Sequence, residues 1–317
     1  MPISYLFITL ILIGLINAYF RLSVYYNIFD VPNHRSSHSE ITIRGAGIIF
    51  PLAVITGWLF FGDVPVWLMA GLLLISTISF IDDLRPLSAG IRLGVHLTAV
   101  SLMLYALNVF GNAPLWLIIA GYVMIIGTIN GFNFMDGING ITGIYCAVAL
   151  LSMLYINYFI NRFVAWHLLI CLLIACAVFL FYNFRKKARC FAGDVGSISI
   201  AFMLIAFVIM LISNTHNFKY LFLFSVYGTD VILTIIKRLK LGQNILQAHR
   251  LHTYQLLVHQ RELAHRQVAL LYGGVQLLIN LVLICTDAQL YVYTPIIGGV
   301  LGLLYLILQR NFNLKLA

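Results

Sequence analysis

Apolar runs long enough to cross a bilayer recur along the whole chain, and that repetition limits the fold more than any single motif does. Taken as stretches of roughly 16–20 apolar residues, they lie near 3–20, 46–61, 65–81, 93–110, 115–130, 140–156, 165–182, 197–212, 219–236, 268–285 and 294–309. Hydrophobic residues make up 62% of the 317 and charged residues 9%, against roughly 25% charged in a soluble domain. The pattern predicts an all-α, polytopic integral membrane protein with about eleven transmembrane helices. No Pro/Ser-rich linker, low-complexity tract or repeat of about 20–50 residues interrupts it, so residues 1–317 read as one transmembrane domain. The first run has no basic residue ahead of it and no small-residue cleavage site, which makes it a spanning helix rather than a secretory signal.

Charge then sets an orientation. If the loops after the odd-numbered runs and the C-terminus share one side, that side holds all of the 19 lysines and arginines except Arg162 and Lys219. The positive-inside rule makes it cytoplasmic, with the N-terminus out and the C-terminus in. The net charge of +9 reads as topology and contact with anionic lipid, not as nucleic-acid binding. Asp30, Glu40, Asp82, Asp83, Asp136, Asp194 and Glu262 fall on the same side; only Asp63 and Asp287 lie opposite, and Asp230 sits within the ninth run. Such one-sided polarity suits an enzyme with a cytosolic substrate, whereas a transporter needs polar lining from both faces to the midplane. The cysteines Cys146, Cys171, Cys176, Cys190 and Cys285 have no zinc-ligand spacing and read as packing residues.

Five polar stretches carry candidate chemistry. The stretch from Asn130 to Gly143 sets Asn133, Asp136 and Asn139 among glycines, although a carboxylate at helix-centre depth costs about 2.5–3.5 kcal/mol. Its amides suit a nucleobase or sugar hydroxyls and Asp136 suits a ribose or a metal; the structural alternative is an interhelical amide network. Ahead of the second run, Arg44-Gly-Ala-Gly47 offers either backbone N–H groups to a phosphate or a tightly packed start to a span. Asp82-Asp83 ends the third run, and two carboxylates at a helix end can share one divalent cation; otherwise they pair with Arg85 or Arg92. In Asn183–Ser197, basic residues attract phosphates, Phe191 can stack on a base, and Asp194 can hold a metal near a helix start, where an acid is also favourable on its own account. His249, Arg250 and His252 offer donors to a pyrophosphate, the two histidines sharing a helical face if the segment is helical. The alternatives there are an ordinary amphipathic helix, or zinc completed from elsewhere. Asp230 is an intramembrane acid, read as supporting the site from behind.

Together these stretches resemble the polyprenyl-phosphate N-acetylhexosamine-1-phosphate transferases, the glycosyltransferase family 4 superfamily that includes the phospho-MurNAc-pentapeptide transferase. The likeness rests on Asp82-Asp83, Asn133-x-x-Asp-Gly-x-x-Gly140, Phe191-x-Gly-Asp-x-Gly-Ser197 and His249-Arg-x-His252, in family order. Asp30-Val-Pro-Asn-x-Arg-Ser-Ser-His38 with Thr42-x-Arg-Gly-x-Gly47, and the lack of consecutive histidines, look like the bacterial undecaprenyl-phosphate GlcNAc-1-phosphate branch. Asn139 stands where the family usually has a second acid.

The resemblance implies a phosphoglycosyltransferase in the bacterial inner membrane, with its site on the cytoplasmic face. A polyprenyl phosphate attacks the β-phosphorus of a UDP-N-acetylhexosamine, releasing UMP and starting lipid-linked cell-surface glycan synthesis. It implies Mg²⁺, with Mn²⁺ as a substitute, on Asp194. Asp82 and Asp83 become catalytic acids near the metal; Asn133, Asp136, Asn139, Asn183 and Phe191 become nucleotide or sugar contacts; Arg44, His249, Arg250 and His252 become phosphate contacts. Its partners are a UDP-sugar, a polyprenyl phosphate and the membrane, with a homodimer allowed and no nucleic acid. Two alternatives stand beside this reading: a nucleotide-sugar or lipid-phosphate transporter, and, within the enzyme class, the phospho-MurNAc-pentapeptide transferase.

Overall fold

The computed structural model describes residues 2–31, 40–244 and 249–310. Helix α1 (Pro2–Tyr25) leads to a two-stranded antiparallel ribbon, β1 (Phe29–Asp30) with β2 (Thr42–Ile43), pairing Phe29 with Ile43. There follow α2 (Ile49–Phe61), α3 (Val66–Leu84), α4 (Ala89–Ala106), the short α5 (Val109–Asn112), α6 (Leu115–Met135), α7 (Ile141–Phe159), α8 (Trp166–Asn183), α9 (Gly193–Thr215), α10 (Ser225–Lys240), α11 (Thr253–Arg261), α12 (His265–Cys285) and α13 (Leu290–Arg310). Among the described residues, 10 helical segments are long and apolar enough to cross a bilayer. The other expected span, 46–61, forms as the shorter α2 with a 3-10 turn, Ala46–Ile48, ahead of it. The chain is an all-α, multi-pass membrane protein.

Helix α9 is the axis. Its most apolar stretch is 83% buried, whereas α1, α6 and α13 reach only 22%, so these three face lipid while α9 is enclosed by protein. A helix apolar on every side belongs in that position.

The ninth span is broken, and polar side chains from its neighbours repair the break. It begins as a 3-10 segment, Phe218–Phe224, and becomes α10 at Ser225. Backbone groups freed inside a bilayer must find partners in the protein. Here Gln276 of α12 accepts from Val226 N–H and donates to the Phe222 carbonyl, and the Tyr145 hydroxyl accepts from Tyr227 N–H. Tyr145 donates to Gln276 at 2.5 Å, and Gln276 continues through Asn280 to Ser152.

At the opposite end of α9 two backbones touch. The chain rises from β2 through Gly45, whose φ is +78°, and crosses the first turn of α9 where Gly47 meets Gly196. A Cβ on Gly47 would lie 2.2 Å from the Gly196 Cα, and one on Gly196 2.6 Å from the Gly47 Cα. Ala46 N–H and Gly47 N–H donate to the carbonyls of Phe191 and Ala192 across this crossing. Of the two readings of Arg44-Gly-Ala-Gly47, tight packing accounts for both glycines. Gly47→Ala and Gly196→Ala are each expected to cost about 1–3 kcal/mol by overpacking, seen as a melting midpoint lowered by several degrees in detergent; an unchanged midpoint would mean that the crossing can open freely.

Candidate active site

Polar residues from five separate stretches converge where this crossing meets the ends of α3 and α6. Asp83, in the last turn of α3, has a fully buried side chain. Its Oδ1 accepts from Arg44 Nε at 2.7 Å and from Asp194 N–H at 3.0 Å, and its Oδ2 from Val195 N–H at 3.0 Å. An acid is poorly placed at the C-terminal end of its own helix; this one caps the positive N-terminal end of α9 instead. Gly193, with φ +71°, makes the approach feasible, since a Cβ there would lie 2.5 Å from Asp83 Oδ2. Arg44 reaches on towards Asp194, Nη2 to Oδ1 3.8 Å. Burial works against its charge, but Asp83, Asp194 and Asp30 hold the guanidinium above its ordinary range.

Asp82 faces elsewhere. It accepts from Leu87 N–H at 2.6 Å and from Arg92 Nη1 at 3.1 Å, which closes the α3–α4 turn. Its carboxyl is also in hydrogen-bonding contact with that of Asp194, which Asn133 approaches from α6. Asn133 in addition donates to the Ser197 hydroxyl. Two carboxylates brought together in this way are oxygen donors of the kind a divalent cation takes. Among the described residues no three His, Cys, Asp or Glu side chains form a ready-made metal cage.

Asp136 caps α6 and accepts from Thr142 Oγ1 at 2.5 Å. Its carboxyl is enclosed, and burial pushes its pKa up to about 6; Thr142 and Arg44 oppose the rise and Asp83 adds to it. Asn139 and Asn183 lie behind this turn, both buried. Asn139 donates to the Arg185 carbonyl, while Asn183 accepts from Gly140 N–H at 2.6 Å and donates to the Cys190 carbonyl. Their amides thus tie the α6–α7 turn to the loop ahead of α9. Phe191, half-buried, is part of that loop; its N–H donates to the Ile43 carbonyl and its carbonyl accepts from Ala46 N–H. The basic run of this loop points away from the acids: Lys187 pairs with Glu40, and Arg185 donates to the Phe181 carbonyl.

The histidine stretch corrects one expectation. His249 and His252 do not share a helical face, because α11 begins only at Thr253, with His252 as its extended N-cap. The rings are neighbours all the same, 4.8 Å apart, with Arg250 half-buried between them in sequence. Burial, then His252 and Arg238, hold His249 down to about pKa 3, against a smaller pull from Asp230, so it is neutral. Asp230 lies under His252, Oδ1 to Nδ1 3.4 Å, and accepts from Thr253 N–H, Thr234 and Tyr272. The supporting position expected for it is the one it occupies. Tyr254 closes the gap to the acids by donating to the Phe134 carbonyl at 2.9 Å. Thr142, Tyr254 and Gln309, which donates to the Leu251 carbonyl and Thr253, escaped sequence reasoning. Thr142 follows Asp136 by a spacing that matters only once the turn is formed, and Gln309 has no local signal. The stretch 32–39, part of the first-loop motif, lies outside the described residues.

The glycosyl transferase family 4 model matches residues 65–212, the stretch that contains Asp82, Asp83, Asn133, Asp136 and Asp194. The match covers a little under half of the chain. It is similar to a probable undecaprenyl-phosphate N-acetylglucosaminyl 1-phosphate transferase of Bacillus subtilis, 24% identical over 68% of this chain and 63% of the relative. It is also similar to phospho-N-acetylmuramoyl-pentapeptide-transferases of Streptococcus mutans, 31% identical over 57% and 62%, and Thermotoga maritima, 26% identical over 71% and 77%. The chain thus spans less than two thirds of the first two relatives. The family match covers the acid cluster but stops short of the histidine stretch.

The raised carboxyl of Asp136 makes stability depend on pH. Below the unfolded value near 4 both states hold the proton. Between there and about 6 the unfolded chain releases it first, so wild-type stability falls as pH rises. Asp136→Asn is expected to gain stability relative to wild type across that window and to hold a constant advantage above it, measured as melting midpoint against pH in detergent. A difference independent of pH would remove Asp136 as the titrating group.

Proposed function

We propose that this protein transfers an N-acetylhexosamine 1-phosphate from a UDP-sugar to a polyprenyl phosphate such as undecaprenyl phosphate. An oxygen of the lipid phosphate attacks the β-phosphorus of the donor, and the bond from that phosphorus to the bridging oxygen breaks. UMP leaves, and a polyprenyl-pyrophosphate sugar remains to start a cell-surface glycan. The observation that carries this reading is the contact between Asp82 and Asp194, with Arg44 alongside. It is a set of oxygen donors and one cation gathered at one end of the bundle, and the family match over this stretch agrees with it.

Mg²⁺, or Mn²⁺ in its place, fits this donor set, because such an ion takes one or two carboxylates and completes its shell with substrate phosphates and water. When bound it neutralises charge on the transferring phosphoryl group. Asp194 would be its principal ligand, and Asp82 the acid that positions or deprotonates the lipid phosphate. Asp83 holds Arg44 towards the donor phosphates and fixes the start of α9. Asn133 and Asp136 border the place for uridine and ribose. His252 keeps a buried Nε2 without a protein partner, and a buried polar atom of that kind suits a hydrogen bond with a ligand. The lysine and arginine asymmetry supports a reaction on the cytoplasmic face of a bacterial inner membrane. The N-acetylhexosamine branch is favoured by the separated histidines His249 and His252.

Purified protein given Mg²⁺, undecaprenyl phosphate and a panel of UDP-N-acetylhexosamines should release UMP with one donor. Asp194→Asn and Asp82→Asn should each lower turnover by about 100-fold or more, the scale of losing several kcal/mol of charge stabilisation. UMP release that needs no lipid acceptor, or that survives both substitutions, would contradict the proposal.

A further inference from the structure

A second site lies on the far side of the segment that carries Arg44. A cavity of about 530 Å³ opens between α1, the β1–β2 ribbon and the loop ahead of α9, within the range of about 300–1,000 Å³ usual for small-molecule sites. Its apolar wall comes from Phe20, Ile41 and Ile43, and its polar groups are Asn17, Arg21 and Arg189. Both arginines are exposed. Among the described residues neither guanidinium has an ion-pair partner: the nearest acid in the ribbon, Glu40, is engaged by Lys187, and Asp30 acts on Arg44. Two cations without an acidic partner on one cavity wall suit an anion.

Depth selects the anion's source. Arg21 lies one turn, about 6 Å, inside the end of α1 at Tyr25, and Asn17 one turn deeper. Both thus sit in the last turns of a helix long and apolar enough to cross a bilayer, near its polar end. The combination of two arginines at headgroup height and an aromatic and aliphatic wall below them matches an amphipathic anion. A soluble phosphate would leave the wall unused. The cavity shares no side chain with the acid cluster; the chain from Ile43 to Ala46 separates them.

We propose that this cavity binds the headgroup of an anionic bilayer phospholipid, with its phosphate between Arg21 and Arg189 and the start of an acyl chain on Phe20 and Ile41. The lipid braces the segment that positions Arg44, since Ile43 bridges both Phe29 and Cys190.

The test is native mass spectrometry of the full-length protein in detergent, titrated with phosphatidylglycerol and, separately, phosphatidylcholine. Wild type should retain phosphatidylglycerol preferentially. R21Q and R189Q should each weaken that retention about fivefold, the size of one interfacial arginine contact, with melting midpoints unchanged because both side chains are exposed. The control K186Q/K240Q removes twice the charge of either variant from outside the cavity and should shift retention less than twofold. Equal weakening by the lysine pair would reduce the effect to diffuse attraction and overturn the site. Displacement of the lipid by millimolar inorganic phosphate would also overturn it, in favour of a soluble ligand. So would displacement by undecaprenyl phosphate together with a raised acceptor KM in R21Q, which would make the cavity the acceptor's own.

Discussion

The carboxylate of Asp83 is the joint on which the candidate site depends. It belongs to α3, is gripped by Arg44 from the segment after β2, and caps α9 through the amides of Asp194 and Val195. Hydrogen bonds to a charged group contribute about 1.5–3 kcal/mol each, and breaking a buried ion pair by removing one partner costs about 3–5 kcal/mol. Three elements distant in sequence are therefore locked at one atom group. Because Asp194 is the residue whose own N–H is held, its side chain has little choice but to face Asp82. The adjacent acids thus have different partners: Asp83 fixes the start of α9, and Asp82 closes the α3–α4 turn beside Asp194.

The same economy appears at the other polar contacts. Asn139 and Asn183 look like ligand contacts when only residue type is considered, yet their amides join the α6–α7 turn to the loop ahead of α9. The replacement of the family's usual second acid by Asn139 fits that task, since an amide can donate to the Arg185 carbonyl and a carboxylate cannot. Inside the bilayer, Gln276 and Tyr145 do for the broken ninth span what these asparagines do for the loops. Membrane burial leaves each freed backbone group a choice between a protein partner and none, so polar side chains concentrate wherever the helices are interrupted.

Much of this was legible in the sequence because hydrocarbon imposes a simple length rule. The apolar runs located the long helices, and only the 46–61 run formed short, where the Gly47–Gly196 crossing takes up the start of the span. The acids Asp82, Asp83 and Asp194 were singled out by their cost in such a chain, and they do gather. Pairing was not legible: nothing in Ile81-Asp-Asp-Leu84 says which acid meets Arg44 and which meets Arg92, since that depends on the turn of α3 reaching α9. The three-residue spacing of His249 and His252 does not report a shared helical face, because α11 starts only at Thr253; their rings meet through the chain's path onto Asp230 instead. Gln309 was beyond reach because its partner segment lies at the other end of the last third of the chain.

If Asp83 holds α9 so that Asp194 meets Asp82, the proposed cation site should depend on all three acids. Electron paramagnetic resonance of Mn²⁺ bound to the purified protein with UDP-sugar present tests it most directly. About one ion per chain is expected in wild type, lost in Asp194→Asn and weakened in Asp82→Asn, with Asp83→Asn also weakening it although that carboxyl does not touch the ion. Undiminished Mn²⁺ binding in both Asp194→Asn and Asp82→Asn would contradict it.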